Sequence, residues 1–245
     1  MSRNIKAPAL VLKMNPVGEN HRGLAMLTAG EGLLRPIAYG AQSRRSALRA
    51  SAVPFNTGIA DMHYDSAKDR WRLTAFDALD THDGLRENLD RFYIAAAWAE
   101  VLLNSHGSGE DSHKLYGLAA KGLTLLSTAN EEAAQRLKTG FFWHFLAIEG
   151  VKPDISRCGR CTTTLGGRES ARFWPNGLLL CPQCSEKRGM EISDGARAWL
   201  ERIAENLDDA VKIGLHSGSI KAAERWVMAI IQSLLEKPLK TLPLV

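Results

Sequence analysis

The stretch from Gly84 to Leu103, Gly-Leu-Arg-Glu-Asn-Leu-Asp-Arg-Phe-Tyr-Ile-Ala-Ala-Ala-Trp-Ala-Glu-Val-Leu-Leu, decides the fold class because the pattern of apolar residues changes there. Its apolar side chains recur at steps of three and four, the spacing of one buried helix face. They are Leu85, Leu89, Phe92, Tyr93, Ala96 and Leu103. Before this stretch apolar residues stand in short runs between turn signals, and after it they keep a helical period. The sequence therefore predicts an α+β chain with its strands first.

The residues before this stretch, 1–80, are predicted to form a small β-barrel. Five runs have strand character, and turn residues such as Asn15-Pro16 separate them. The interval between the third and fourth runs is longer and more basic than the others, which is compatible with an OB-type barrel. Other five-stranded barrels fit the pattern equally well. The five runs cover 9–14, 23–28, 33–39, 53–63 and 70–80.

The residues after it, 81–245, are predicted to form an α-helical domain. Thr128 and Glu131 match the capping-box pattern at the start of one helix. Ser193 and Ser219 are predicted to cap two further helices. The tryptophans of these helices are predicted to be core residues; they are Trp98, Trp143, Trp199 and Trp226.

Four cysteines predict a zinc knuckle inserted in the helical domain over 155–190. Their pattern is C-x2-C-x19-C-x2-C, and each C-x2-C brings two thiolates within reach of one tetrahedral ion. Four thiolates leave no position for a water, so a structural zinc is favoured over a catalytic one. Turn signals at 166–167 and 174–177 predict a short hairpin between the two pairs. The alternatives are cysteines without a metal and a redox pair. The predicted ligands are Cys158, Cys161, Cys181 and Cys184.

The positive charge of the chain is concentrated in its first third. The net charge is +4 at pH 7; residues 1–80 hold 11 Lys and Arg against 7 Asp and Glu, whereas the rest hold 20 of each. Residues 32–60 contain no acidic side chain. Arginines among small hydroxylated neighbours suit contacts to phosphate, although a solvated loop is the alternative. The arginines of this basic stretch, candidates for contacts to nucleic-acid phosphate, are Arg35, Arg44, Arg45 and Arg49.

Other residues leave two interpretations open. Tyr39, Phe55 and Trp71 could stack unpaired bases or belong to the barrel core. The basic residues beside the cysteines either offset the charge of the thiolates or extend a nucleic-acid surface. They are Arg157, Arg160, Lys187 and Arg188.

No catalytic residue is predicted, and the chain is predicted not to be an enzyme. The nearest motif, 117–124, has the glycine spacing of a phosphate-binding loop but lacks Lys after the second glycine, and it lies in a helical pattern. His144 on an apolar helix is expected to be a packed, hydrogen-bonded residue.

Neither a signal peptide nor a run of 18 apolar residues is evident, so a cytoplasmic location without membrane contact is expected. In a reducing compartment, paired cysteines are more often metal ligands than disulfides.

Taken in order, these features resemble the RecO family of bacterial recombination mediators. Thr162 is a departure, because members of that family often have glycine after the second cysteine. The first third carries the resemblance at Val17-Gly18-Glu19, Leu27-Thr28, Gly32-Leu33-Leu34, Gly40 and Arg44-Arg45-Ser46-x-Leu48. The helical part carries it at Phe145-Leu-Ala-Ile-Glu-Gly150, Pro153 and Cys158-x-x-Cys161.

The resemblance implies an OB barrel, a helical domain and a zinc knuckle. Carried over by position, it implies that the DNA-binding face of the barrel includes Arg35, Arg44, Arg45 and Arg49. It also implies a DNA repair and homologous recombination protein, not an enzyme, that binds single- and double-stranded DNA and anneals complementary strands. The implied partners are the RecR protein, the single-strand DNA-binding protein and, indirectly, the RecA filament that it helps to load. Two other functions fit the residues: a zinc-ribbon interaction module in a transcription or repair complex without direct DNA binding, and an enzyme without a recognisable motif.

Overall fold

A computed structural model describes residues 3–105, 111–166, 170–174, 176–235 and 238–241. The chain divides into two compact units, with the main division after Ser127. The first unit therefore includes two helices beyond the predicted barrel. The predicted domains, 1–80 and 81–245, stay a prediction because compactness alone does not show that a segment folds independently.

The first unit is built on a closed β-barrel. β1 pairs antiparallel with β2 and β5, β5 pairs with β6, and β2 pairs with β4. β4 closes the ring by pairing parallel with β6, where Ile37 lies opposite Arg72. This order is that of a five-stranded OB-type barrel whose third strand is divided into β3 and β4, and it confirms the predicted fold class. The strands are β1 (Arg3–Val17), β2 (His21–Thr28), β3 (Gly32–Leu34), β4 (Ile37–Ala38), β5 (Thr57–Asp65) and β6 (Arg70–Asp80).

Alternating side chains fill the barrel interior. Along β5, Ala60 and Met62 are buried whereas Asp61 between them is only half-buried, as the two-residue period of a strand requires. A short helix, α1 (Leu48–Ser51), lies between β4 and β5. It buries Leu48 and the following Ala52 in the barrel core. The interval is therefore anchored at its centre.

Two longer helices complete the first unit. A 3-10 turn (Asp83–Leu85) precedes α2 (Leu89–Asn104), and α3 (Ser112–Thr128) follows. The sequence predicts a helical period from about Gly84, but α2 begins only at Leu89. It begins there because Asn88 caps the helix, its side chain accepting a hydrogen bond from the amide of Arg91. Residues 117–124, which have the glycine spacing of a phosphate-binding loop, lie inside α3 and are ordinary helix.

The second unit combines helices with a small sheet. α4 packs against α7 and α8, and α6 packs against α8. Trp143, Trp226 and Phe173 form a buried ring cluster with centroids 5.9 and 6.2 Å apart. All four helix tryptophans are buried, which confirms them as core residues. The elements are α4 (Glu131–Ile148), β7 (Ala171–Phe173), β8 (Leu179–Leu180), α5 (Pro182–Ser185), β9 (Met190–Ile192), α6 (Asp194–Arg202), α7 (Asp208–Lys212) and α8 (Ser217–Leu234).

Two of the three predicted caps in this unit are wrong. Asn130, not Thr128, caps α4, because its side chain accepts the amide of Ala133 at 2.9 Å. Ser193 caps α6 as predicted. His216, not Ser219, caps α8, its Nδ1 lying 3.3 Å from the amide of Gly218. Among the described residues, no helix is both long and apolar enough to cross a membrane.

Candidate nucleic-acid interface and metal centre

Three of the predicted DNA-binding arginines lie on the interval between β4 and β5. Arg44, Arg45 and Arg49 are exposed there, and Arg35 is exposed just before β4. Buried Ala41 and the α1 contacts hold this interval against the barrel core. Among the described residues, no carboxylate lies within 4.0 Å of these four guanidinium groups. Their positive charges therefore remain available to an anionic ligand.

Two further arginines join this region, and sequence reasoning missed them. Arg22 on β2 donates from Nη1 to the carbonyl oxygen of Arg49 at 2.8 Å. The guanidinium of Arg72 on β6 lies 4.8 Å from the ring centroid of Tyr39. The sequence alone could not reveal the position of Arg72, because β4 and β6 are paired in the fold but distant in sequence. We call these two and the four predicted arginines the basic surface.

The three aromatic candidates have different surroundings. Phe55 is 3% exposed and belongs to the core, so its base-stacking interpretation is wrong. Trp71 is half-buried and packs against the barrel core. Tyr39 is half-buried beside the basic surface, where its ring meets that of His21 edge-on at 4.9 Å. Tyr39 is therefore the aromatic candidate associated with the arginines.

The first cysteine pair lies on a turn that β8 supports. The amide of Gly159 donates to the carbonyl oxygen of Leu179 at 2.8 Å, and a Cβ on Gly159 would lie 2.6 Å from a methyl of Leu178. A side chain at this position would require the exposed Leu178 side chain to shift, so glycine suits the close approach. Thr162, after the pair, has φ of +60°, a left-handed conformation that favours glycine. The departure from the family pattern thus falls on a strained position, at a cost of about 1–2 kcal/mol.

The second cysteine pair lies on α5. Cys181 precedes the helix, and its Sγ accepts the amide of Cys184 at 3.4 Å. Pro182 occupies the first helical position, where its lack of an N–H removes no helical hydrogen bond. β7 and β8 pair antiparallel between the two cysteine pairs and confirm the predicted hairpin, although Gly167 and Pro175 of its turn signals lie outside the described residues.

The four cysteines converge, as their spacing predicts. All four Sγ atoms lie within 4.8 Å of one another, and those of Cys161 and Cys181 are 3.8 Å apart. A tetrahedral ion with metal–sulfur bonds of about 2.3 Å requires sulfur atoms about 3.8 Å apart. These residues therefore fit a tetrahedral metal ion. The amide of Cys181 also donates to Cys158 Sγ at 3.4 Å, which stabilises thiolate character.

The cysteine thiols differ in acidity. Hydrogen bonds from the hydroxyl and amide of Thr163 lower the pKa of Cys161 to about 6. Hydrogen bonding with Cys161 and Cys181 raises the pKa of Cys184 to about 12. Four thiols in contact thus compete for a limited set of donors, and a cation at their centre would favour deprotonation of all four.

The remaining candidates lie apart from this chemistry. His144 Nε2 lies 2.7 Å from the carbonyl oxygen of Ile203, which confirms a packed, hydrogen-bonded histidine. The basic residues beside the cysteines are exposed, and Arg160 donates to the carbonyl oxygen of Cys184 at 3.4 Å. Their role on a nucleic-acid surface stays a prediction.

Family models match nearly the whole chain. The model described as "Recombination protein O N terminal" matches residues 1–77, and the one described as "Recombination protein O C terminal" matches residues 86–243. The chain belongs to the RecO family. The family resemblance stated from the sequence is thereby confirmed.

Individual RecO proteins are similar over most of the chain. A protein named "DNA repair protein RecO" from Desulforamulus reducens is 26% identical over 239 residues, which covers 96% of this chain and 84% of the relative. One of the same name from Rubrobacter xylanophilus is 29% identical over 180 residues, covering 73% and 71%. Membership of the RecO family supports a role for this chain in DNA repair and recombination.

Proposed function

We propose that this chain is a recombination mediator, not an enzyme, that binds single- and double-stranded DNA and anneals complementary strands. As the family resemblance implies, it acts in the cytoplasm with the RecR protein and the single-strand DNA-binding protein to help load RecA. The observation that carries the DNA-binding part is the basic surface, whose predicted arginines have no carboxylate partner among the described residues.

Electrostatic contact with phosphate is the proposed basis of binding. A guanidinium group can give two parallel hydrogen bonds to a phosphate, and each neutralised phosphate releases condensed counterions. Such contacts carry little sequence information, which suits a repair protein that acts on DNA of any sequence. Neutralising both strands lowers their mutual repulsion, so the same contacts promote annealing without bond cleavage.

The metal centre has a structural role in this proposal, and zinc is the proposed ion. Cys158, Cys161, Cys181 and Cys184 would hold it, and a bound ion would supply cross-links between two turns and α5. A tetrahedral site of four thiolates suits zinc and leaves no position for a reacting water. The DNA contacts come from the barrel arginines.

The test is a fluorescence-anisotropy titration of labelled single-stranded DNA at several salt concentrations. Arg44→Ala/Arg45→Ala is expected to weaken binding and to reduce the slope of log K against log salt by about 0.7 for each phosphate that the variant no longer neutralises. The matched control is Lys221→Ala/Arg225→Ala, which removes two exposed cations from α8. Equal affinity and slope in the basic-surface variant and the native chain would refute the assignment of these arginines.

A further inference from the structure

The segment from Asp77 to Phe92 exposes apolar side chains at the end of β6 and the start of α2. Leu79 is 74% exposed, Leu89 is 65% exposed and Phe92 is 38% exposed. A single exposed leucine is ordinary on a protein surface, but a group of large apolar residues indicates a contact site. Leu79 also lies where the pairing of β5 and β6 shifts register, so the strand presents it outside the regular ladder.

Exposed carboxylates are interspersed with these apolar side chains along the same segment. Asp77, Asp80, Asp83, Glu87 and Asp90 are exposed or largely so. Among the described residues, no basic nitrogen lies within 4.0 Å of the carboxylates of Asp77, Glu87 or Asp90. This part of the barrel unit therefore has the opposite charge to the basic surface.

The two arginines of the segment are engaged with the backbone. Arg86 donates from Nη2 to the carbonyl oxygen of Pro54 at 2.8 Å and from Nη1 to that of Thr81. Arg91 donates to the carbonyl oxygen of Ser127 at 2.7 Å. These two arginines hold the segment in place. Of the five carboxylates, only that of Asp83 lies near either arginine, at 3.4 Å from Arg86. The net charge presented outward is therefore strongly negative.

Contacts with the barrel and a helix cap anchor the segment. The ring of Phe92 packs edge-on against buried Phe55 with centroids 5.4 Å apart. His82 Nδ1 lies 2.8 Å from the carbonyl oxygen of Phe55, and Asn88 caps α2. A surface fixed in advance loses little conformational entropy when a partner binds.

We propose that this segment, the acidic docking surface, binds a partner protein through a stretch that combines lysine or arginine with an apolar anchor. Exposed leucines supply the dry centre of an interface, and a charged rim supplies steering and specificity. DNA is an unsuitable occupant because the carboxylates repel phosphate. The proposal does not depend on DNA binding by the basic surface, because the two sets of residues do not overlap.

The test uses the full-length chain and a fluorescein-labelled peptide of repeated Lys-Lys-Leu-Leu sequence as the probe. Matched peptides replace every Lys by Glu or every Leu by Ser. The Lys-Lys-Leu-Leu peptide is expected to bind saturably, and each matched peptide to bind at least about tenfold more weakly. Leu79→Ser/Leu89→Ser and Asp77→Asn/Glu87→Gln are each expected to weaken binding by about tenfold, whereas single-stranded DNA affinity stays unchanged in the leucine variant.

The control variants change exposed carboxylates and an exposed leucine that lie outside the acidic docking surface. Glu201→Gln/Glu205→Gln neutralises two exposed carboxylates, and Leu234→Ser removes an exposed leucine on α8. Both are expected to bind the peptide as the native chain does. Equal loss in these controls, no saturable binding at millimolar peptide, or tight binding that survives Leu79→Ser/Leu89→Ser would overturn the proposal. Self-association that the leucine variant abolishes would assign the surface to a second copy of the chain, and would also overturn it.

Discussion

His82 connects the barrel to the first helices and is almost fully buried. Its Nδ1 lies 2.8 Å from the carbonyl oxygen of Phe55 and must donate there, so the neutral ring carries its proton on Nδ1. Nε2 lies 3.2 Å from Thr124 Oγ1 and 3.4 Å from a carboxylate oxygen of Asp80. Desolvation lowers the pKa of His82, and the negative charge of Asp80 opposes this only in part. Arg86 also lowers the pKa, whereas Asp83 raises it.

The lowered pKa predicts that the fold weakens in mild acid. The unfolded chain binds a proton at His82 more readily than the folded chain does, so the free energy of unfolding falls as the pH drops below about 6.5. This group contributes a slope of at most about 1.4 kcal/mol per pH unit. Urea titrations between pH 5 and 7 measure the slope. His82→Gln is expected to flatten it, whereas His113→Gln, at an exposed position, leaves it unchanged; the same slope in the native chain and His82→Gln would contradict the prediction.

At the scale of single residues, the sequence was sufficient to identify site residues whose chemistry requires a fixed local spacing. The cysteines were predictable because C-x2-C by itself brings two sulfur atoms to one turn. Arg72 was not, because it reaches the basic surface only through the parallel pairing of β4 with β6. The core position of Phe55 was left open since an aromatic residue in a strand pattern can point either way.

At the scale of elements, the segment that carries the four cysteines is the part expected to depend most on a ligand. Its sheet has short strands, and Cys158 and Leu180 belong to its small separate core with Cys181. So small a core contributes little hydrophobic stabilisation, and metal binding would supply the rest. We therefore expect zinc to be required for the stability of this element.

Cys158→Ser is expected to release zinc and lower the melting temperature. At free zinc 1,000 times Kd, binding stabilises the native state by about 4 kcal/mol, so its loss should lower Tm by about 10 °C. Calorimetry and metal analysis of the purified protein measure both effects. Gln183→Ala, an exposed change between Cys181 and Cys184, is the control. A native protein that contains no zinc, or an unchanged Tm in Cys158→Ser, would contradict the structural role.

Element existence was more predictable than element boundaries. Strand and helix periods located the barrel and the helices, whereas two helix starts moved because Asn130 and His216 provide the cap. The third strand is interrupted at Pro36, which has no amide hydrogen for a ladder. The ion pair of buried Lys138 on α4 with half-buried Glu224 on α8, 2.7 Å long, could not be expected from a periodicity that places apolar residues inside.

At the scale of the whole molecule, charge separation is the feature that relates the parts to function. The first third carries the net positive charge, and the structure concentrates it on the basic surface. The carboxylates of the acidic docking surface lie on both sides of the end of that third, between Asp77 and Asp90, in the same compact unit. A charge count over residues 1–80 includes both the basic arginines and the first acidic residues of the docking surface. The separation of positive and negative surfaces is therefore visible only in the folded chain.

Annealing of complementary strands is the activity that this charge distribution predicts. Mixing two labelled complementary single strands with the protein should accelerate the rise in energy transfer without any nucleotide cofactor, because neutralised phosphates repel each other less. The acceleration should decline steeply between about 50 and 200 mM salt. Arg44→Ala/Arg45→Ala should abolish most of it, whereas Lys221→Ala/Arg225→Ala should retain it. Annealing that requires ATP, or that is insensitive to salt and to removal of both barrel arginines, would mean that the strands are paired by something other than the basic surface.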